Sequence, residues 1–221
     1  MGALYGIPDS GPGAWPLRMM IVINSIGTAM DTPASRKAQT HERIVTAASR
    51  AIRRQGYGGI GVADLMKEAG LTHGGFYAHF ASKNELLAEV AEATGAESLG
   101  RLSRIAARAP DGEGLAAIVD AYLSAQHVAS PETGCPVAAL GSELPRQAPE
   151  VRRAATHRMK EVVDLLGRQL PGWAEGAGRE RALASYCTLI GALTLARAVD
   201  DPAMARAVCD AARQAILGPS E

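Results

Sequence analysis

The sequence predicts an all-α protein. Alanine and leucine dominate its 221 residues, and the alternation of β-branched and aromatic residues that is typical of strands is nearly absent. Apolar residues instead recur at helical spacing in segments that Gly and Pro separate. The length allows one domain or two. We therefore expect a small N-terminal helical domain followed by a larger helical one.

Residues 1–35 are predicted to form a disordered extension, because Gly and Pro are frequent among them up to Ala29. The apolar run at 19–23 is too short for an export signal, and polar residues break it directly afterwards. An alternative is that Met30 rather than Met1 is the native start.

The next segment predicts two helices. Thr40 can cap a helix that runs to Gln55 and ends at Gly56. A second helix follows at 62–69, and Gly70 supplies the left-handed residue that ends it. The apolar stripe of the second helix, at spacings i, i+3, i+4 and i+7, consists of Val62, Leu65, Met66 and Ala69.

A third, very short helix is predicted directly after this turn. Phe76 and Phe80 are the only phenylalanines in the chain, and they can fold back onto the second helix. Polar and small residues are left on the outer side, namely Thr72, His73, Gly74, Tyr77 and His79. An alternative for Tyr77 is that its ring packs in the core and only its hydroxyl is exposed. A polar face on an otherwise apolar helix pair suits a nucleic-acid groove, with His73 as the candidate for base contact. The segment therefore predicts a helix-turn-helix.

Ser82 and Glu85 form an S-x-x-E capping box. The box starts a connecting helix and turns Lys83 outward, close to the short helix. Gly95 and Gly100 interrupt the connecting helix, and each costs about 1 kcal/mol relative to Ala. We therefore expect a bend or a soft spot there.

Five further helices are predicted, separated by Pro- and Gly-rich loops, at 113–128, 136–144, 150–170, 179–199 and 202–217. Residues 182–196 carry no charge, which predicts a helix buried on all sides but too short to cross a bilayer. The last two helices from two subunits can close a four-helix bundle, so we expect a homodimer. The alternative is that both helices only fill the core of one subunit.

The charge of the chain is unevenly distributed. The formal net charge is zero, which by itself argues against nucleic-acid binding. Residues 36–90 nevertheless carry eight Lys and Arg residues against five Asp and Glu residues, a net charge of +3. This distribution fits a basic module attached to a neutral sensor.

The run GYGGIGVADLMKEAGLTHGGFYAHFASKNELL combines many Gly, aromatic and Lys positions in a fixed order. It resembles the TetR/AcrR family of one-component transcription regulators, over about residues 40–90. The resemblance implies an all-helical homodimer in which residues 36–82 bind double-stranded operator DNA. Residues 83–217 would dimerise and bind a small-molecule effector that releases the DNA, and repression is the family tendency.

The resemblance also implies roles for individual residues. It assigns phosphate contacts to Tyr77, His79 and Lys83. The expected DNA-binding set is Thr40, Thr72, His73, Gly74, Tyr77, His79 and Lys83. One departure is Ile60-Gly61, where many family members carry Thr or Ser, so that a side-chain cap and a phosphate contact are expected to be lost.

The three cysteines match no zinc spacing and indicate a reducing cytoplasm, and no pattern requires a metal or a cofactor. Cys135 precedes Pro136 at a predicted helix start, where the helix dipole would favour its thiolate. A sensor of oxidants or electrophiles is therefore one hypothesis for Cys135. The alternative is an inert, buried thiol.

The effector pocket is expected among the helices that contain residues 86–104, 122–127 and 151–166. Its candidate residues are Tyr122, His127, His157 and Met159. A rival from another class is a cysteine-dependent enzyme with Cys135 as nucleophile and His127 or His157 as base. Nothing in the sequence places an oxyanion hole or an orienting acid for such an enzyme.

Overall fold

A computed structural model describes residues 33–173 and 178–218, and within these ranges the fold is all-α, as predicted. The α-helices are α1 (Pro33–Gln55), α2 (Val62–Glu68), α3 (Lys83–Arg108), α4 (Gly114–Tyr122), α5 (Ala125–Ala129), α6 (Pro136–Leu140), α7 (Pro149–Arg168), α8 (Gly178–Ala198) and α9 (Pro202–Leu217). Short 3-10 helices occupy His73–Ala78, Pro131–Thr133 and Leu144–Arg146. The first of these lies where the third helix was predicted, and we call it the reading helix.

The N-terminal helix is longer than predicted. It begins at Pro33, so Thr40 lies inside α1 and is not its cap. Proline is favoured in the first turn of a helix, because its missing N–H has no helical partner there and its φ is already helical. The predicted extension at 1–35 is therefore wrong for residues 33–35, and its other residues, with Met1 and Met30, lie outside the described ranges. Gly56 ends α1 with φ +83°, as predicted.

The described residues from Gln39 onward form one compact unit. This unit contains two hydrophobic cores. One core is built by α1, α2, the reading helix and the start of α3, with Leu140 and Val151 added from later helices. The other core is built by the end of α3 with α4, α7, α8 and α9. Helix α3 takes part in both cores and packs most extensively against α7.

Two predicted helices are shorter in the structure. The helix expected at 113–128 is broken, because the Ser124 hydroxyl accepts the backbone N–H of His127 at 3.2 Å and so caps a separate helix, α5. The helix expected at 136–144 ends as α6 at Leu140. Turn residues follow at 141–143, and a 3-10 helix begins at Leu144.

Helix α3 runs unbroken through both of its glycines. A Cβ atom on Gly95 would lie 2.4 Å from Cγ of Arg158, so this glycine admits a side chain of α7. A Cβ atom on Gly100 would meet nothing within 4 Å. Of the two glycines at the expected soft spot, Gly95 thus makes room for the Arg158 side chain, and Gly100 has no packing role.

The two glycines are predicted to respond in opposite ways to alanine. Gly100→Ala should raise the free energy of unfolding by about 0.5–1 kcal/mol, because the helix loses less conformational entropy on folding. Gly95→Ala should lower it, because Arg158 must move and its ion pairs with Glu92 and Glu161 are disturbed. Urea denaturation of both variants measures these changes. Equal effects of the same sign would contradict the assignment.

Helix α8 is not buried on all sides, contrary to the prediction. Ala182, Tyr186, Leu189 and Leu193 face the core. On other sides Leu183 and Leu195 are 43% and 56% exposed. The charge-free run therefore leaves apolar surface open in the single subunit. No helix within the described ranges is both long and apolar enough to cross a membrane.

Candidate nucleic-acid interface and effector site

The reading helix is fixed to α2 by its two phenylalanines. Gly70 takes φ +69°, as predicted, and the backbone N–H of Leu71 donates to the carbonyl of Met66 at 2.8 Å. Phe76 and Phe80 are 1% and 2% exposed, and their rings stack with centroids 5.5 Å apart. The ring of His41 from α1 stacks on Phe80 at 4.5 Å. These contacts set the orientation of the reading helix.

The opposite side of the reading helix is exposed. Thr72, His73 and Gly74 are exposed, and Tyr77 is 67% exposed although it follows the buried Phe76. The rings of His73 and Tyr77 meet edge to face at 6.3 Å. A Cβ atom on Gly74 would meet nothing within 4 Å, so this glycine leaves room for an approaching backbone. The polar face predicted from the sequence is present at these four residues.

The other predicted contact residues are less exposed. Thr40 and His79 are partly buried. Lys83 donates from Nζ to the backbone carbonyls of Tyr57 and Ile60 at 3.2 and 2.8 Å. Its ammonium group therefore holds the loop before α2, a role that sequence reasoning missed. Two carbonyl acceptors leave at most one of the three Lys83 protons for a phosphate.

The capping contacts at the starts of α2 and α3 agree with the sequence-based prediction in most respects. Helix α2 has Gly61 at its N-cap and no side-chain cap, as the Ile60-Gly61 departure predicts. Ser82 accepts the backbone N–H of Glu85 at 3.1 Å, as the capping box predicts. The Glu85 carboxylate accepts the backbone N–H of Ala81 at 2.5 Å rather than that of Ser82.

Arg53 is one of the eight cations in the net charge of residues 36–90, and the structure buries it. Its side chain is 3% exposed. It donates to the carbonyl of Ser49 at 3.1 Å, to the carbonyl of Gly134 at 3.1 Å and to the Glu97 carboxylate at 3.3 Å. Burial lowers the pKa of the guanidinium, and the negative charge of Glu97 opposes this change. Arg53 thus connects α1 with α3 and with the loop before α6.

Residues 44–90 match the sequence profile of the family described as bacterial regulatory proteins, tetR family. This is the segment that forms the reading helix, its supporting helices and the start of α3. Over these residues the chain is similar to that family. A comparison with curated proteins found no match.

Several solved structures share the fold of this chain. NemR of E. coli in its reduced form is 20% identical with a TM-score of 0.68, and the match covers 83% of this chain and 100% of that one. A TetR-family regulator of Agrobacterium tumefaciens is 23% identical with a TM-score of 0.70, covering 81% and 98%. FadR of Bacillus subtilis in complex with stearoyl-CoA is 19% identical with a TM-score of 0.61, covering 81% and 100%.

The structure does not bring the four predicted effector residues together. Tyr122 and His127 line one cavity of about 400 Å³, together with Arg101 and other residues of α3 and α4. Met159 lines a second cavity, next to Cys135 and Tyr186, where only about 30 Å³ remains free. His157 lies on the surface of α7, and its side chain is 59% exposed and 3.4 Å from Glu92. Of these two cavities, the first has the size of a small-molecule site and the second does not.

His127 organises the segment around Cys135. Its Nδ1 lies 2.7 Å from the carbonyl of Tyr122, and its Nε2 accepts the backbone N–H of Cys135 at 3.0 Å. Because Nε2 is an acceptor, the ring is neutral and carries its proton on Nδ1. Burial lowers the pKa of His127 to about 4, and the charges of Arg197 and Arg101 act in the same direction. The ring therefore stays neutral at physiological pH.

The surroundings of Cys135 give little support to a reactive thiol. Its side chain is 3% exposed, and α6 after it has only five residues, so the expected dipole effect is small. Cys187, in contrast, is exposed. The enzyme hypothesis has no geometry to support it, since both ring nitrogens of His127 are engaged with the backbone and His157 pairs with Glu92.

Proposed function

We propose that this protein is a TetR-family regulator, which binds operator DNA as a homodimer, represses transcription and leaves the operator when a small molecule binds. It would act in the cytoplasm, where bacterial DNA lies. DNA binding is assigned to 36–82, and effector binding with dimerisation to 83–217. The observation that carries the proposal is the two-sided reading helix, in which Phe76 is buried and the adjacent Tyr77 is exposed.

The exposed side suits a major groove in both size and chemistry. A short helix can enter this groove, and hydroxyl, imidazole and phenol groups can contact base edges or phosphates. We assign direct contacts to Thr72, His73 and Tyr77, and a close backbone approach to Gly74. Lys83 and His79 serve the flanking phosphates, and Thr40 is the least supported member of the set because it is partly buried within α1.

Homodimerisation is supported by apolar surface on the last two long helices. Leu183 and Leu195 of α8 and Met204 of α9 are each more than 40% exposed. These two helices pack against each other in the subunit. A second copy that covers this face would form a four-helix bundle and present two reading helices, as a two-fold operator requires at a spacing of about 34 Å.

Effector control is supported by the cavity that Tyr122 and His127 line. A cavity of about 400 Å³ holds a small organic molecule. The loop beside it is bonded to Arg53 of α1, so a ligand there can bias the position of the N-terminal helices. Operator and effector would then weaken each other's binding by the same factor. A reactive species acting on Cys135 is the less supported alternative signal, because Cys135 is only 3% exposed.

The test is selection of duplexes from a random library by the full-length protein at a fixed salt concentration. We expect a two-fold symmetric sequence to be enriched. Tyr77→Ala should weaken binding to it by about tenfold or more, which corresponds to the loss of one or two polar contacts. Lys160→Ala removes an exposed cation of α7 and should leave affinity unchanged. Binding without any sequence preference, or an unaffected Tyr77→Ala variant, would refute the proposal.

A further inference from the structure

We propose that Glu143 is a positioning residue for operator binding, because its carboxylate holds the loop before α2 and, through that loop, sets the direction of the Lys83 ammonium group. This inference rests on the proposed function, in which Lys83 serves a phosphate that flanks the operator. Glu143 lies in the turn after α6, far from Lys83 in the chain and within the part that we assign to effector binding and dimerisation.

Glu143 binds the backbone of this loop directly. Its Oε2 accepts the backbone N–H of Tyr57 at 2.9 Å. Tyr57 is 4% exposed, and the loss of an acceptor from a buried N–H costs more than the hydrogen bond itself contributes. The loop therefore depends on the carboxylate for its position.

Gly56 makes room for the Glu143 carboxylate at the end of α1. A Cβ atom on Gly56 would lie 2.5 Å from Oε1 and 3.0 Å from Oε2 of Glu143. The left-handed φ of +83° already favours glycine at this position. The close approach of Glu143 is a second and independent requirement for glycine there, so the contact coincides with the residue that ends α1.

Glu143 is itself held in place by its neighbours in the chain. Its backbone carbonyl accepts the backbone N–H of Arg146 at 3.1 Å and the side-chain Nε2 of Gln147 at 3.3 Å. Leu140 is 3% exposed in the core that α1 and α2 build, and Leu144 packs against the same core. The backbone of Glu143 is thus fixed before DNA binds, so its carboxylate can hold the loop at a small cost in conformational entropy.

Lys83 holds the same loop from the other side. Glu143 accepts the N–H of Tyr57, whereas Lys83 Nζ donates to the carbonyl of Tyr57 at 3.2 Å and to that of Ile60 at 2.8 Å. Two of the three ammonium protons are thereby directed, so the direction of the third follows from the position of the loop. A displacement of Glu143 therefore turns the remaining proton of Lys83 away from its phosphate.

The position of Glu143 depends in turn on α6. The carbonyl of Ala138 in α6 accepts the hydroxyl of Thr194 in α8 at 3.3 Å, and α6 packs against both α8 and α3. Helix α8 carries the apolar face that we assign to dimerisation. Glu143 is thus a polar contact through which a change at α6 or α8 reaches Lys83.

The experiment measures the affinity of the full-length protein for its selected operator between about 50 and 200 mM KCl. Glu143→Ala should weaken binding by about tenfold at the lower concentration, and the slope of log affinity against log salt should fall by about one phosphate contact. The loss of a negative charge by itself would strengthen DNA binding, so weaker binding is diagnostic. Glu113→Ala, which removes the same charge at an exposed position before α4, is the matched control and should not weaken binding.

The conservative variant Glu143→Gln keeps an oxygen that can accept the Tyr57 N–H. It should bind the operator within about threefold of the unmodified protein, with the same salt slope.

A double-mutant cycle with Lys83→Ala separates positioning from stability. In the Lys83→Ala background, Glu143→Ala should change operator affinity by less than about twofold. The same loss of affinity in both backgrounds, or an unchanged salt slope, would assign Glu143 a structural role only and overturn the inference. Unchanged operator binding by Glu143→Ala overturns the inference and leaves the proposed regulator intact. An unmodified protein that selects no operator refutes the proposed function, and this inference falls with it.

Discussion

Phe76→Ala should lose operator binding because the variant loses the reading helix. Phe76 is 1% exposed and stacks on Phe80, with contacts to the core of α1 and α2. Truncation of a buried phenylalanine to alanine costs about 3–5 kcal/mol, which is a large part of the stability of a typical domain. We therefore expect the urea midpoint of the N-terminal helices to fall sharply and operator affinity to fall with it.

The neighbouring variant Tyr77→Ala separates folding from DNA contact. Tyr77 is 67% exposed, so its truncation should change the free energy of unfolding by no more than about 0.5 kcal/mol. Both variants should lose operator binding, but only Phe76→Ala should lose stability. Lys83→Ala is a poorer probe of DNA contact, since it also removes two hydrogen bonds to the loop before α2. Equal stability losses at Phe76 and Tyr77 would contradict the two-sided helix.

Leu195→Asp should convert the dimer to monomers. Leu195 of α8 is 56% exposed in the single subunit, on the face that we assign to the partner. An aspartate buried there by dimerisation would lack a compensating cation and would have to give up its hydration. The monomer should bind the two-fold operator about a hundredfold more weakly or worse, because two linked contacts become one.

Sedimentation equilibrium and operator titration measure the two consequences of Leu195→Asp. Thr156→Asp introduces the same side chain at an exposed position of α7 and should change neither. A Leu195→Asp protein that sediments as a dimer at micromolar concentration would show that the apolar face of α8 lies outside the interface. If the unmodified protein itself sediments as a monomer, the proposal of a homodimer is wrong.

The reading segment could be predicted closely, because its signals lie within a few residues of each other. The stop at Gly70 and the burial of Phe76 follow from helical spacing and from the turn between two helices, whereas the exposed fraction of the Tyr77 ring is decided by packing. The bounds of α9, Pro202–Leu217, agree with the prediction for the same reason, since Asp201 accepts the backbone N–H groups of Ala203 and Met204.

The effector site could not be predicted in the same way. Arg53 and Gly134 are 81 residues apart in the chain, and the contact between them has no trace in local spacing. Arg197, which donates to the carbonyls of Val128 and His127, lies in the last turn of α8, where a cation is ordinarily explained by the helix dipole. Two of the histidines show the same limit. The ring of His127 is hydrogen-bonded to the backbone of Tyr122 and Cys135, and His157 faces solvent.

Helix type, turn positions and the two faces of the reading helix therefore depend on neighbours one to four residues away, and the order of residues was enough to assign them. The burial of Arg53, the role of Lys83, the open face of α8 and the division of the effector candidates between cavities depend on which helices pack together. Packing joins residues from distant parts of the chain, and the free energy of each such contact depends on burial that exists only after folding.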